Sequence, residues 1–63
     1  MIFEYKGFRG SAEYSEYNEC YYGKLININD LVNYEAKTSA GLYIEFKSAV
    51  DDYIKFKEEI DKQ

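Results

Sequence analysis

The stretch that decides the fold is Thr38-Ser39-Ala40-Gly41-Leu42-Tyr43-Ile44-Glu45-Phe46-Lys47-Ser48-Ala49-Val50-Asp51-Asp52-Tyr53, where the apolar period changes. From Leu42 onward, Phe46, Ala49, Val50, Tyr53, Phe56 and Ile60 recur at three- and four-residue spacing. A helix turns once every 3.6 residues, so these side chains form one stripe along a rod of about five turns. Glu45, Lys47, Asp51, Lys55, Glu58 and Glu59 fill the opposite face. Thr38 or Ser39 is placed to cap the helix, its hydroxyl accepting a hydrogen bond from a free amide of the first turn. Gly41 opposes the helix by up to ~1 kcal/mol relative to Ala, and the Asp51–Lys55 pair supports it by only ~0.3–0.5 kcal/mol.

Upstream of Lys37 the period is two. Phe8, Gly10, Ala12 and Tyr14 alternate with Arg9, Ser11, Glu13 and Ser15, the pattern of a half-buried strand. Gly7 and Gly10 signal a bend or a close backbone approach. Residues 15–19 are polar and read as a hairpin loop. A second strand spans residues 20–28, with Tyr22, Lys24, Ile26 and Ile28 on one face and Tyr21, Gly23 and Leu25 on the other. Asn27, Asn29 and Asp30 suit a tight turn into a third strand over residues 31–35. Short connections make the strands antiparallel. The expected fold is therefore α+β: a three-stranded antiparallel meander with one C-terminal amphipathic helix packed on one face, in the order β-β-β-α.

Sixty-three residues support one domain, spanning residues 1–63, and a marginal core. Small domains are usually completed by disulfides, a structural metal or a partner chain. Cys20 is the single cysteine and there is no histidine, which excludes an internal disulfide, zinc fingers and Ser-His-Asp catalysis. A partner chain is the remaining remedy. Twelve acidic against eight basic residues leave a net charge of −4, which disfavours direct nucleic-acid or anionic-membrane binding and favours a basic protein partner. No apolar run approaches the ~20 residues needed to span a bilayer. The first six residues lack the features of an export signal, and the free thiol suits a cytoplasmic location.

No catalytic constellation emerges. Asp51 and Asp52 are adjacent, and helix neighbours point about 100° apart, so they read as a solvated face rather than a shared metal site. Glu13, Glu16 and Glu19 match no calcium-loop spacing and read as an acidic docking patch. Cys20 has no histidine to activate it. Neither a metal nor a cofactor is expected. Eight Tyr and four Phe cannot all fit inside so small a core, and exposed tyrosine is enriched at protein–protein interfaces. A stacking platform for single-stranded RNA would need basic residues among the rings, whereas residues 11–22 carry three Glu and neither Lys nor Arg.

Three stretches taken together resemble the N-terminal domain of the HicB family of type II antitoxins. They are Tyr5-Lys6-Gly7-Phe8 leading through Gly10-Ser11 to Glu13-Tyr14-Ser15; Cys20-Tyr21-Tyr22-Gly23-Lys24-Leu25 with Ile28-Asn29-Asp30-Leu31-Val32, Tyr34-Glu35 and Thr38; and Phe46 with Ala49-Val50-Asp51-Asp52-Tyr53. The resemblance implies a partial ribonuclease-H-like fold without catalytic carboxylates. It also implies a cytoplasmic, non-enzymatic module that binds and masks HicA, a small basic toxin that cleaves mRNA. The family usually carries an acidic residue in the first helical turn, where this chain has Gly41. Its further strand and DNA-binding segment have no counterpart within residues 1–63, so operator binding is not expected.

The residues expected to meet the toxin are Glu16, Tyr17, Glu19 and Tyr21. Phe3, Tyr5 and Phe8 are expected at the interface of a homodimer, formed where sheet edges or helix faces would otherwise be left open. Two other readings compete: a small homo-oligomeric scaffold or orphan remnant with no toxin partner, and a metal-dependent nuclease built on converging carboxylates.

Overall fold

The structure, a computed structural model, describes residues 1–61. Strands β1 (Ile2–Tyr5), β2 (Phe8–Ser11), β3 (Glu13–Ser15), β4 (Cys20–Ile26) and β5 (Asn33–Ala36) precede helix α1 (Ser39–Asp61). All strand pairings are antiparallel, and the helix lies across one face of the sheet. The α+β class and the C-terminal helix are as expected. The strand number is not: there are five strands rather than three.

Two local features account for the difference. Ile2–Tyr5 folds back on β2 as a hairpin, pairing Phe3 with Gly10 and Tyr5 with Phe8. Its two-residue turn is Lys6-Gly7, with φ of 52° and 82°. Two left-handed residues are what a type I′ turn requires, and its twist matches that of the strands. Lys6 stands where Asn or Asp usually announces such a turn, which hides it in the sequence.

The second feature is the break at Ala12, between β2 and β3. Both strands keep one register along β4, with Gly10 opposite Leu25 and Glu13 opposite Tyr22. At the break, side chains replace ladder bonds. The Lys24 amide donates to the Ser11 hydroxyl at 3.1 Å, and the Tyr34 phenol donates to the Ser11 carbonyl at 2.6 Å. The Ala12 amide turns away to donate to the Met1 carbonyl at 3.0 Å.

β4 is the central strand. β2 and β3 line one of its edges and β5 the other, pairing Gly23 with Tyr34 and Tyr22 with Glu35. The missing side chain at Gly23 lets the Tyr34 ring cross β4 and reach Ser11, since a Cβ there would collide with the Ser11 carbonyl and the ring.

The core forms where the helix covers the sheet. Leu42, Phe46 and Val50 are fully buried, with Leu25, Tyr34 and Tyr53 beside them. Phe3 packs on Phe46 at 5.3 Å and Phe8 meets Tyr53 edge-on at 5.7 Å. Each fully buried apolar side chain contributes about 1.5–3 kcal/mol. Thr38 caps the helix, its Oγ1 accepting the Gly41 amide at 2.9 Å.

The apolar stripe continues further than the core. Phe56 and Ile60 are half-exposed, contrary to their place in the stripe. A helix of 23 residues is about 34 Å long, and the molecule measures 42 × 19 × 18 Å, so the final turns run past the sheet. The last contact before the overhang is a clamp: Asp30 Oδ2 accepts the Tyr53 hydroxyl at 2.9 Å and lies 3.4 Å from Lys57 Nζ.

Candidate functional site

The strand alternation divides the side chains between two faces. Phe3, Tyr5, Phe8, Tyr21, Leu25, Tyr34 and Ala36 turn toward the helix and pack on or within the core. Glu4, Arg9, Ser11, Glu13, Tyr22, Lys24, Asn33 and Glu35 alternate with them and form the opposite, uncovered face. At one end of this face the β3–β4 hairpin projects into solvent.

The hairpin carries most of the residues expected to meet a partner. Glu16, Tyr17 and Glu19 are exposed on it, Tyr17 almost completely at 96%. The loop is held by the Asn18 amide donating to the Ser15 hydroxyl at 3.1 Å, and by Glu19 in the left-handed region at φ 53°. Tyr21 is not with them. It lies on the helix side of β4, half-buried, with its ring 4.9 Å from Tyr14.

Phe3, Tyr5 and Phe8, expected at an oligomer interface, also face the helix and are half-buried in the chain's own core. The Tyr5 hydroxyl points to Asp51 Oδ2 at 3.5 Å.

One arrangement emerges only from the strand register. The pairings of Glu13 with Tyr22 and of Tyr22 with Glu35 place these three residues in one row across the open face. They line a shallow groove of about 610 Å³ together with Ser11, Lys24 and Asn33. A hydrogen bond to the Glu13 carboxylate, above all, raises the Tyr22 phenol pKa from its ordinary value. Glu35 accepts the Cys20 thiol at 3.8 Å. Cys20 itself is buried.

Ion pairs elsewhere join Lys6 to Asp51 at 2.9 Å, Arg9 to Glu4 at 3.2 Å and Lys57 to Asp30. Among the described residues, neither Glu13 nor Glu35 has a cation within ion-pair distance. Period-two alternation already put Glu13 and Tyr22 on strand faces. What it could not supply was the register that makes them neighbours.

No protein-family model, curated protein or solved structure matches this chain.

Asp51 and Asp52 diverge as their helical neighbourhood requires. Asp51 takes Lys6, while Asp52 lines a separate groove with Leu31, Val32 and Phe56. Among the described residues, no group of three or more Asp, Glu or Cys side chains is arranged to hold a metal ion. No described helix is long and apolar enough to cross a membrane.

Proposed function

We propose that this chain is a HicB-like antitoxin module of the cytoplasm, built on a partial ribonuclease-H-like fold. It would neutralise a HicA-type mRNA interferase by direct protein–protein binding, without chemistry of its own. The observation that carries the reading is the exposed acidic, aromatic end of the molecule: Glu16, Tyr17 and Glu19 on the hairpin, beside Glu13 and Tyr22 on the open face. A basic RNA-binding protein is complementary to such a surface, and opposite potentials speed encounter and set the docking register. Covering the toxin's RNA-binding surface is then sufficient for inhibition.

The resemblance on which the reading rests falls on elements that form the fold. Tyr5-Lys6-Gly7-Phe8 is the β1–β2 turn with its flanking residues, and Cys20-Tyr21-Tyr22-Gly23-Lys24-Leu25 is most of β4. Val50 and Tyr53, within Ala49-Val50-Asp51-Asp52-Tyr53, are core residues of α1. The test is to mix the chain with a HicA-type toxin and follow RNA cleavage. Inhibition at an equimolar ratio supports the reading; cleavage at the full uninhibited rate refutes it.

A homo-oligomeric scaffold is the second reading, favoured by one observation. Phe56 and Ile60 are exposed on the overhanging end of the helix, and the loop residue Leu31, also exposed, lines a groove with Phe56. Light scattering tests this reading: self-association at micromolar concentration supports the scaffold, and a stable monomer removes it together with the expected homodimer.

A further inference from the structure

We infer that the open face of the sheet holds a seat for an arginine side chain presented by a basic protein partner, formed by Glu13, Tyr22 and Glu35. This deepens the reading above, since it rests on the partner being basic and names where that partner is gripped.

Glu13, Tyr22 and Glu35 occupy matched positions on three adjacent strands. Neighbouring strands lie about 4.8 Å apart, so a phenol ring stands between two carboxylates on a rigid, hydrogen-bonded base. Tyr22 is 42% exposed, and both glutamates are exposed. The groove that they line is concave enough to take a side chain from another molecule.

The chain's own cations show what such rings attract. On the helix side, Lys6 lies 5.2 Å and Lys47 5.9 Å from the Tyr5 ring centre, Lys47 lies 5.0 Å from Tyr43, and Lys57 lies 5.6 Å from Tyr53. Among the described residues no cation sits over Tyr22, although it alone stands between two carboxylates without ion pairs. Lys24, the nearest basic residue of this face, is offset by one row along β4 and lies beyond ion-pair distance of both. A ring between two acids is complementary to a flat cation.

Arginine fits this geometry better than lysine. Its guanidinium is planar, so it can stack on the Tyr22 ring while its edges donate paired hydrogen bonds to a carboxylate on either side. An ammonium would act as a point charge without the fork. The seat lies on strands rather than on a loop, so little ordering is required when it is filled.

The test uses the full chain, isotopically labelled, titrated at low salt with hexa-arginine and, separately, hexa-lysine peptides while amide and side-chain NMR shifts are followed. The expected result is that the largest shifts fall on Glu13, Tyr22 and Glu35, with arginine bound more tightly than lysine. A combined E13Q and E35Q change should weaken hexa-arginine binding about tenfold or more, because two charge-assisted contacts are lost. Y22A should abolish the preference for arginine. All three positions are solvent-facing, and a far-UV spectrum of each variant confirms that the fold is intact.

Shifts confined to Glu16, Tyr17 and Glu19, or equal affinity in the E13Q/E35Q variant, would overturn the seat. The toxin assay separates this failure from that of the antitoxin reading. Full inhibition by the E13Q/E35Q/Y22A variant would remove the seat and leave the antitoxin. Selective arginine binding without inhibition by the unaltered chain would leave the seat and remove the antitoxin.

Discussion

The Tyr34 hydroxyl on β5 donates a 2.6 Å hydrogen bond to the Ser11 carbonyl on β2, reaching across the whole width of the central strand. The ring passes over Gly23 and ends above Gly10, the two places in the sheet where a Cβ would block it. One side chain thereby ties three strands together beneath the helix and closes the gap in the ladder at Ala12.

Tyr34→Phe is expected to cost about 1–3 kcal/mol, because it leaves the Ser11 carbonyl without its donor in a mostly buried setting. Urea denaturation measures this directly. Burial pushes the Tyr34 pKa up to about 12 from 10.0. A phenol whose folded pKa is raised contributes stability that is full below the unfolded value and is lost as pH rises through the folded one. The denaturation midpoint should therefore fall between pH 10 and about 12, and that fall should be smaller in Tyr34→Phe. An identical alkaline profile in both proteins would contradict the role assigned here.

Gly23→Ala should destabilise more than Gly7→Ala, for different reasons. At Gly23 the new methyl collides with the Ser11 carbonyl, and the strand pair must separate to admit it. At Gly7 there is open space, and the cost is the left-handed backbone alone, about 1–2 kcal/mol. Comparison of the two urea midpoints tests the order.

Phe46→Ala removes a completely buried ring that touches Phe3, Tyr34 and Tyr43. The expected loss is about 3–5 kcal/mol, comparable to the whole stability of a domain this small. The variant should be largely unfolded at room temperature, as read by near-ultraviolet circular dichroism.

Thr38→Ala removes the acceptor for the Gly41 amide and should cost about 0.5–2 kcal/mol. Gly41→Ala should not yield the usual helical gain of about 1 kcal/mol, because its Cβ would approach Thr38 Oγ1 at 2.9 Å and crowd the same cap. Thermal melts of both variants provide the check.

The clamp at the start of the overhang predicts an acid response. A hydrogen bond from Tyr53, and then one from Lys57, hold the Asp30 carboxyl below its ordinary pKa of 3.8. A carboxylate with a depressed folded pKa contributes stability above the unfolded value that is lost as pH falls through the folded one. Asp30→Asn should reduce the dependence of the urea midpoint on pH below about 4. An unchanged acid limb would show that the clamp adds nothing to folding.

Some of this was legible in residue order because it depends on local period and local chemistry. Alternation through Phe8, Gly10, Ala12 and Tyr14 marked a strand, and the spacing of Leu42, Phe46, Val50 and Tyr53 marked the buried helix face. Thr38 was recognisable as a cap from its hydroxyl alone. The candidate site was half-legible: Glu16, Tyr17 and Glu19 sit in a polar loop that any alternation break reveals. Tyr21 shares its parity along β4 with Leu25, so it turns toward the helix although it adjoins the loop in sequence.

By itself, then, the sequence determined the α+β class, the antiparallel path through residues 8–36, and the helix with its first buried turns. Each of these follows from contacts between near neighbours. Only the tertiary structure decided that Ile2–Tyr5 doubles back, that Tyr34 reaches Ser11, that Glu13, Tyr22 and Glu35 stand in one row, and that Phe56 and Ile60 escape burial. Those outcomes depend on register between distant strands and on the length of the helix against the width of the sheet, and no periodicity within a single segment encodes either quantity.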